Sequence, residues 1–562
     1  MNDRNNPNLV LLGGYAAKQC PVRTQHDFGP EPLAWMPGEE DQARLDAGIA
    51  FEATVFATLA AAHPDAVLVE ATLSHDDAIT STLAAMDAGA PLILGGWLPD
   101  DCVGGRKGKP DLLIRVEDGY LPADVKHHRT LEAKKTKAAQ LSRITSPAVR
   151  TPQSGWTSAT PYRLSDGLQL AHYTRMLQAC GRHPGPGHMW AAIMGTTAVP
   201  GTADAGELVL VWHNLNEPVG FTYSRSCGKA ARSLLQRYDH EHSFRVAVAT
   251  AAAKRHAPLV EPVGQPECHS CPYEHVCNAQ MRDDDPSRAL TVGNLDTREW
   301  LTLRRLGITT TADLAVIDLD DERFFERYYA ETSHRGRDHA RSRLGGAAQR
   351  AAMITAGTPL TRTDDTPCQV PAADVEVDLD IEWDTNGHVY LWGARVRTDQ
   401  LDSTATFHAF AEWTVMDAVR ERELAQRFVR WLRDVRDRAH LDGRGIRVFH
   451  WSAAEPSRLR RILGSDVADL LDADTGVFTD LERVFKSQFL SVHGSSIKTV
   501  APLFGFHWRA DDAGGAVSQK RLDQAREDQP TCEAARRWLL SYNADDTEAM
   551  AVIRDGMRTW DG

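Results

Sequence analysis

Asp111 and the run Asp124-Val125-Lys126 are the first residues whose types and spacing suggest chemistry. Residues 112–116 read as a strand, Asp118-Gly119 as a hairpin turn and residues 120–125 as the return strand. The two aspartates thus flank a hairpin, and their carboxylates can converge at one end of a small sheet. Paired carboxylates suit Mg²⁺ or Mn²⁺, hard ions that prefer oxygen ligands. Such an ion activates a water and neutralises charge developing on a phosphate. Lys126 lies two residues from Asp124 on the same strand face, where its ammonium would orient the water or stabilise the pentacovalent phosphate.

A second acidic set lies far downstream. From Val375 to Trp383 the chain alternates, with Val375, Val377, Leu379 and Ile381 on one face and Glu376, Asp378, Asp380 and Glu382 on the other. Asp380 and Glu382 would project together, and Tyr542-Asn543-Ala544-Asp545-Asp546 is read as opening the final helix. The alternative is a charged, solvent-facing edge strand. A third set is Cys268-x2-Cys271-x5-Cys277, three thiolates with Cys20 as the candidate fourth. Four thiolates hold either zinc or an iron–sulfur centre, and His269 or His275 is an alternative zinc ligand. Cys102, Cys180, Cys227, Cys368 and Cys532 lack such grouping.

The elements around these residues indicate a mixed α/β protein. A helix is expected from Asp41 to about Ala62, a second from Gly167 to Ala179, a strand at 207–212 and a closing helix from about Glu533 to Met557. Turn-rich punctuation at 283–286 and 361–367 divides the 562 residues into blocks 1–283, 284–360 and 361–562. The middle block is helical. Residues 126–143 hold six basic side chains against Glu132, a pattern typical of a solvated helix face but also of a local positive wall for DNA. Net charge is 63 − 77 = −14, which excludes a globally basic nucleic-acid coat but not a local channel. No run of about 18 apolar residues is seen, so no membrane span is expected. The N-terminus lacks the apolar core of a signal peptide, so a cytoplasmic location is expected.

The first set resembles the PD-(D/E)xK nuclease signature, specifically its RecB-like branch. Gly48-Ile49-Ala50-Phe51-Glu52 resembles the branch's N-terminal helix motif, with Glu52 as a further ligand. Gln169-Leu170-Ala171-His172-Tyr173 resembles its QxxxY helix. The bracketing cysteines resemble the 4Fe–4S clamp of AddB-type helicase-nucleases and of the nucleases serving CRISPR spacer acquisition. The C-terminal acids resemble the DEDD exonuclease branch of the RNase H-like fold. In that pattern Asp380, Glu382 and Asp546 hold metal and Tyr542 positions water, while Glu455 stands where an Asp is usual and Asp480 is the reserve candidate. Residues 303–314 resemble a helix–hairpin–helix DNA binder, with a plain helical linker as the alternative.

Together the resemblance implies three parts: a restriction-endonuclease-like core with an Fe–S clamp, a helical middle segment and an RNase H-like α/β domain. It implies a Mg²⁺- or Mn²⁺-dependent DNase, exonuclease rather than endonuclease, acting on single strands or DNA ends in repair or defence. Its main site would be Glu52, Asp111, Asp124 and Lys126, with Gln169 and Tyr173 beside it. No Walker A motif is present, so unwinding would need a helicase or repair partner. The competing readings are a nuclease-inactive DNA-binding adaptor and a redox sensor.

Overall fold

The computed structural model describes residues 9–199, 207–224, 228–290, 295–472, 476–509, 515–527 and 531–560, which leaves Cys227 outside the described residues. The chain forms two compact units. One holds residues 1–288, 295–309 and 318–344, and the other holds 289–294, 310–317 and 345–562. The helical middle segment is therefore shared between them. Helices form at Thr297–Arg305, where Asp296 caps the N-terminus, and at Thr311–Ala315, capped by Thr310.

The first unit is built on an eight-stranded mixed sheet. Its central order is Leu92–Leu94, Leu112–Val116, Gly119–Val125, Trp190–Val199 and Glu207–Asn214. The predicted hairpin is present, with Leu112 opposite Ala123 and Ile114 opposite Leu121. Alternation along Leu112–Val116 serves two helices. Leu112 and Ile114 pack with Val55 and Leu59 of the helix Glu39–Ala62, while Leu113 packs with Tyr173, Met176 and Leu177 of Thr160–Ala179. Both faces of the hairpin are thus buried, and its open end is fixed between two helices.

One expectation is corrected in this unit. The basic run is not a helix: Leu131–Arg143 is a strand between Glu207–Asn214 and Thr151–Ser158. Leu131, Ala139 and Leu141 pack with Val199, Val209 and Val211, and that burial overrides the helical preference of its alanines and lysines. The helix Glu39–Ala62 contains a stretch, Arg44–Ala62, long and apolar enough by length and composition to cross a membrane, with 11% of its window buried. Its scattered Arg44, Asp46 and Glu52 interrupt any continuous apolar run, so the sequence alone did not reveal it.

The second unit has a five-stranded sheet ordered Leu401–Ala411, Val389–Thr398, Val375–Trp383, Ile446–His450, Phe478–Asp480. The first three strands are antiparallel and the last two run parallel to the central one. Val375–Trp383 is central, so the solvent-facing edge strand is excluded. Its apolar face packs on Leu424, Phe428 and Leu432 of the helix Ala418–Leu441. Its acidic face lies beneath the helix Cys532–Arg558, and Tyr542 to Asp546 lie well inside that helix rather than at its start.

At one end of the acidic face, Glu376 and Asp378 are fully buried and paired. Arg397 donates to Glu376 at 2.7 Å, Arg558 at 2.6 Å, and Arg554 bridges Glu376 and Asp378. Burial opposes ionisation of Glu376, but the Arg558 hydrogen bond and the charge of Arg554 outweigh it and hold its carboxyl low. Removing one partner from a buried pair costs about 3–5 kcal/mol, so these acids serve the fold.

Buried neutral histidines give the first unit a pH dependence. His172 Nε2 lies 3.0 Å from the Lys107 carbonyl and its Nδ1 2.8 Å from the Tyr238 hydroxyl. Burial, then the charge of His242, lowers His172 to about 3. Burial also lowers His213 and His242 to about 4. Between the ordinary value of 6.5 and about 4, the unfolded chain binds more protons than the folded one. Stability therefore declines as pH falls through that window. Urea unfolding of the first unit should become easier from about pH 6.5 to about 4, with a shallower dependence in His172→Gln; an identical slope would remove His172 from the account.

Candidate functional site

The same strand face that pairs Glu376 and Asp378 with arginines leaves Asp380 and Glu382 without any guanidinium partner among the described residues. One carboxylate oxygen from each of Asp380, Glu382 and Asp546 lies within 4.8 Å of the others. Strand period places the first two on one face, and the helix Cys532–Arg558 brings Asp546 over them. Asn543 Nδ2 donates to Asp380 Oδ2 at 2.7 Å, and Ser518 Oγ donates to Glu382 Oε2 at 3.1 Å. The close approach of Asn543 depends on Gly393, cross-strand from Asp380, where an added Cβ would sit 1.5 Å from Asn543 Oδ1.

Asp546 Oδ1 accepts from Lys498 Nζ at 2.5 Å and from Trp508 Nε1 at 2.7 Å. The Lys498 ammonium also lies over the Trp508 and Tyr542 rings, 4.1 and 4.3 Å from their centres. Three carboxylates thus face one ammonium. Burial, then the charge of Asp546, pushes Glu382 up to about 8. Asp380 is raised by burial and by the charges of Asp546, Glu382 and Glu455. Tyr542 is held protonated by burial and the neighbouring acids. A divalent cation would relieve this repulsion, and an all-oxygen donor set suits Mg²⁺ or Mn²⁺.

Glu455 is buried in the first turn of Ala454–Leu463, with His450 Nδ1 3.6 Å from its Oε2. It reaches Asp380 electrostatically but stands outside the tight triad. Asp480 pairs in register with His450 and caps the helix Leu481–Gln488, accepting from the Arg483 backbone N–H at 2.9 Å. Capping occupies one of its carboxylate oxygens, which weakens its claim as reserve ligand. Lys498, Ser518 and Trp508 carry no sequence signal, because each is a lone residue brought in by tertiary packing.

In the first unit, Asp111 precedes its strand and Asp124 ends the return strand, at the same end of the hairpin. Asp111 Oδ2 accepts from the Val125 N–H at 2.7 Å, and Lys126 pairs with Asp124. Burial and the charges of Asp124 and Glu52 raise Asp111, which places all three acids in one electrostatic environment. Burial works against the Lys126 ammonium, but the charge of Asp124 overrides it. Gln169 Nε2 donates to the Tyr173 hydroxyl at 3.0 Å, and Lys18 Nζ donates to Gln169 Oε1 at 3.2 Å. Burial and the charge of Lys126 lower Lys18 to about 8, and sequence reading missed this residue.

Cys20, Cys268, Cys271 and Cys277 line one cavity of about 220 Å³. Burial, then the charge of Cys20 and the other two thiols, pushes Cys277 up to about 12. No three of these thiols come within 4.8 Å of one another, and His269 and His275 join no such group among the described residues.

Residues 377–558 match the family model of the RNase H superfamily. No curated protein and no solved structure matches the chain. The C-terminal unit therefore carries an RNase H-like domain, and its triad lies within the matched span. In calorimetric titrations of the Asp124→Asn chain with Mn²⁺, adding Asp546→Asn should weaken binding by roughly tenfold or more. Undiminished binding would remove the triad as a metal site.

Proposed function

We propose that this protein is a divalent-metal-dependent nuclease acting on DNA. The observation that carries the reading is the Asp380–Glu382–Asp546 triad, three converging carboxylates with a single ammonium, inside an RNase H-like domain. When bound, Mg²⁺ or Mn²⁺ supplies an activated water and neutralises charge on the scissile phosphate. The chain's own residues do the rest. Asn543 and Ser518 fix the Asp380 and Glu382 carboxylates, and Lys498 and Trp508 hold Asp546 in one orientation. The Tyr542 phenol, kept protonated by burial and the neighbouring acids, would orient the attacking water.

The hairpin acids of the first unit support a second, RecB-like site with Glu52, Asp111 and Asp124 as ligands and Lys126 steadying the phosphate. Exonucleolytic action on single strands or ends, and a helicase or repair partner, complete this reading. Labelled single- and double-stranded DNA and RNA, with Mn²⁺ or EDTA, test it in Glu382→Gln and Lys126→Ala variants. Cleavage should require Mn²⁺, fall in each single variant by the share its site carries, and fall by about two orders of magnitude when both changes are combined. Cleavage undiminished in the combined variant would overturn both site assignments.

The four thiols are read as the ligands of a 4Fe–4S cluster that clamps the first unit. A tetrahedral zinc with Zn–S near 2.3 Å needs sulfurs about 3.8 Å apart, whereas these thiols ring a wider cavity. Burial, then the neighbouring thiols, disfavours a bare Cys277 thiolate, and the cationic core of a bound cluster would stabilise it. Anaerobically purified protein should be brown with roughly four irons per chain, and Cys271→Ala should be colourless. Stoichiometric zinc without iron would replace this assignment.

A further inference from the structure

The strand Leu131–Arg143 carries a large irregularity. Ala133 pairs with Trp156 and Ala138 with Ser154, so Lys134, Lys135, Thr136 and Lys137 face only Gly155 on the neighbouring strand. Gly155 takes φ +87°, a left-handed conformation that favours glycine. The extra residues bow out, and all four are exposed. None of the three lysines has an acidic partner among the described residues.

The bulge continues a strip that starts beside the hairpin acids. Arg129 is exposed. His128 stacks on Tyr162 with ring centres 3.9 Å apart, and Tyr162 is 43% exposed. The segments are tied together locally, since the Ala159 N–H donates to the Thr130 carbonyl at 2.8 Å and the Thr160 N–H to Glu132 at 3.3 Å. A chain of net charge −14 thus sets three unpaired lysines and an exposed aromatic ring along the segments that follow Lys126. Exposed unpaired lysines gain little from one another, but a polyanion that binds them releases its condensed counterions to solution and gains strongly. An exposed ring adds base stacking that tolerates any sequence.

We infer that this bulged strand, with Arg129 and Tyr162, is a track that grips the phosphate backbone of a nucleic-acid strand and leads it to the hairpin acids. The inference rests on the nuclease reading, yet it concerns binding and not cleavage. Fluorescence anisotropy in EDTA tests it on the full chain with labelled single-stranded DNA, duplex DNA and RNA across a salt series. Changing Lys134, Lys135 and Lys137 together to Gln should weaken binding, and the slope of log affinity against log salt should become shallower by about 2 on a single strand. Changing the exposed Lys254 and Arg255 to Gln, which removes charge elsewhere, should leave both quantities unchanged. Tyr162→Ala should weaken single-strand binding with no change in salt slope. Whichever nucleic acid shows the lysine-dependent slope is the strand the track takes. Equal slopes in wild type and the triple variant would overturn the track while leaving the nuclease reading intact. A wild type that binds no nucleic acid would overturn both.

Discussion

Like charges buried together must be neutralised, and in the C-terminal unit one strand face shows two ways of doing it. Glu376 and Asp378 meet Arg397, Arg554 and Arg558, and charge closes within the protein. Two residues further on, Asp380 and Glu382 meet Asp546 and only Lys498. The remaining negative charge is held in place by Asn543, Ser518 and Trp508, neutral donors that orient carboxylates without cancelling them. Such a site waits for a cation, because the fold has spent its guanidinium groups elsewhere. The contrast separates structural from chemical acids better than either their spacing or their burial.

The hairpin acids of the first unit follow a related logic. Asp111 is raised by its acidic neighbours while Lys126 is drawn to Asp124, again several carboxylates with one ammonium on the acid at the end. Their carboxylates are spread more widely than the C-terminal triad, which is the group that closes within 4.8 Å among the described residues. Sequence reading ranks the hairpin site first, because a strand–turn–strand with Asp-x-Lys is compact in the chain. Geometry and the family match both favour the C-terminal set.

What was legible in the sequence follows from periodicity. Period two puts Asp380 and Glu382 on one face whatever surrounds the strand, and the hairpin bounds are those its turn predicts. The closing helix was legible too: the expected bounds of about Glu533 to Met557 lie within one residue of Cys532–Arg558, and those bounds, not the reading of Tyr542 as its opening, place Tyr542 inside it. The basic run was misread because lysine and alanine favour helix locally, while Leu131, Ala139 and Leu141 are recruited by distant valines. Lys498 and Ser518 were invisible for a related reason: their role exists only once separate segments are packed.

Gly393 shows how far the site reaches into the fold. Opposite Asp380 on the neighbouring strand, it leaves the space that Asn543 occupies, and any side chain there would displace the amide that orients Asp380. Displacement would free the Asp380 carboxylate to turn away from Glu382 and Asp546, since those neighbours repel it. The triad is therefore an arrangement held by directional hydrogen bonds from Asn543, Ser518, Lys498 and Trp508. Its convergence is the product of packing that joins one strand, the closing helix and three separate segments around the same three carboxylates.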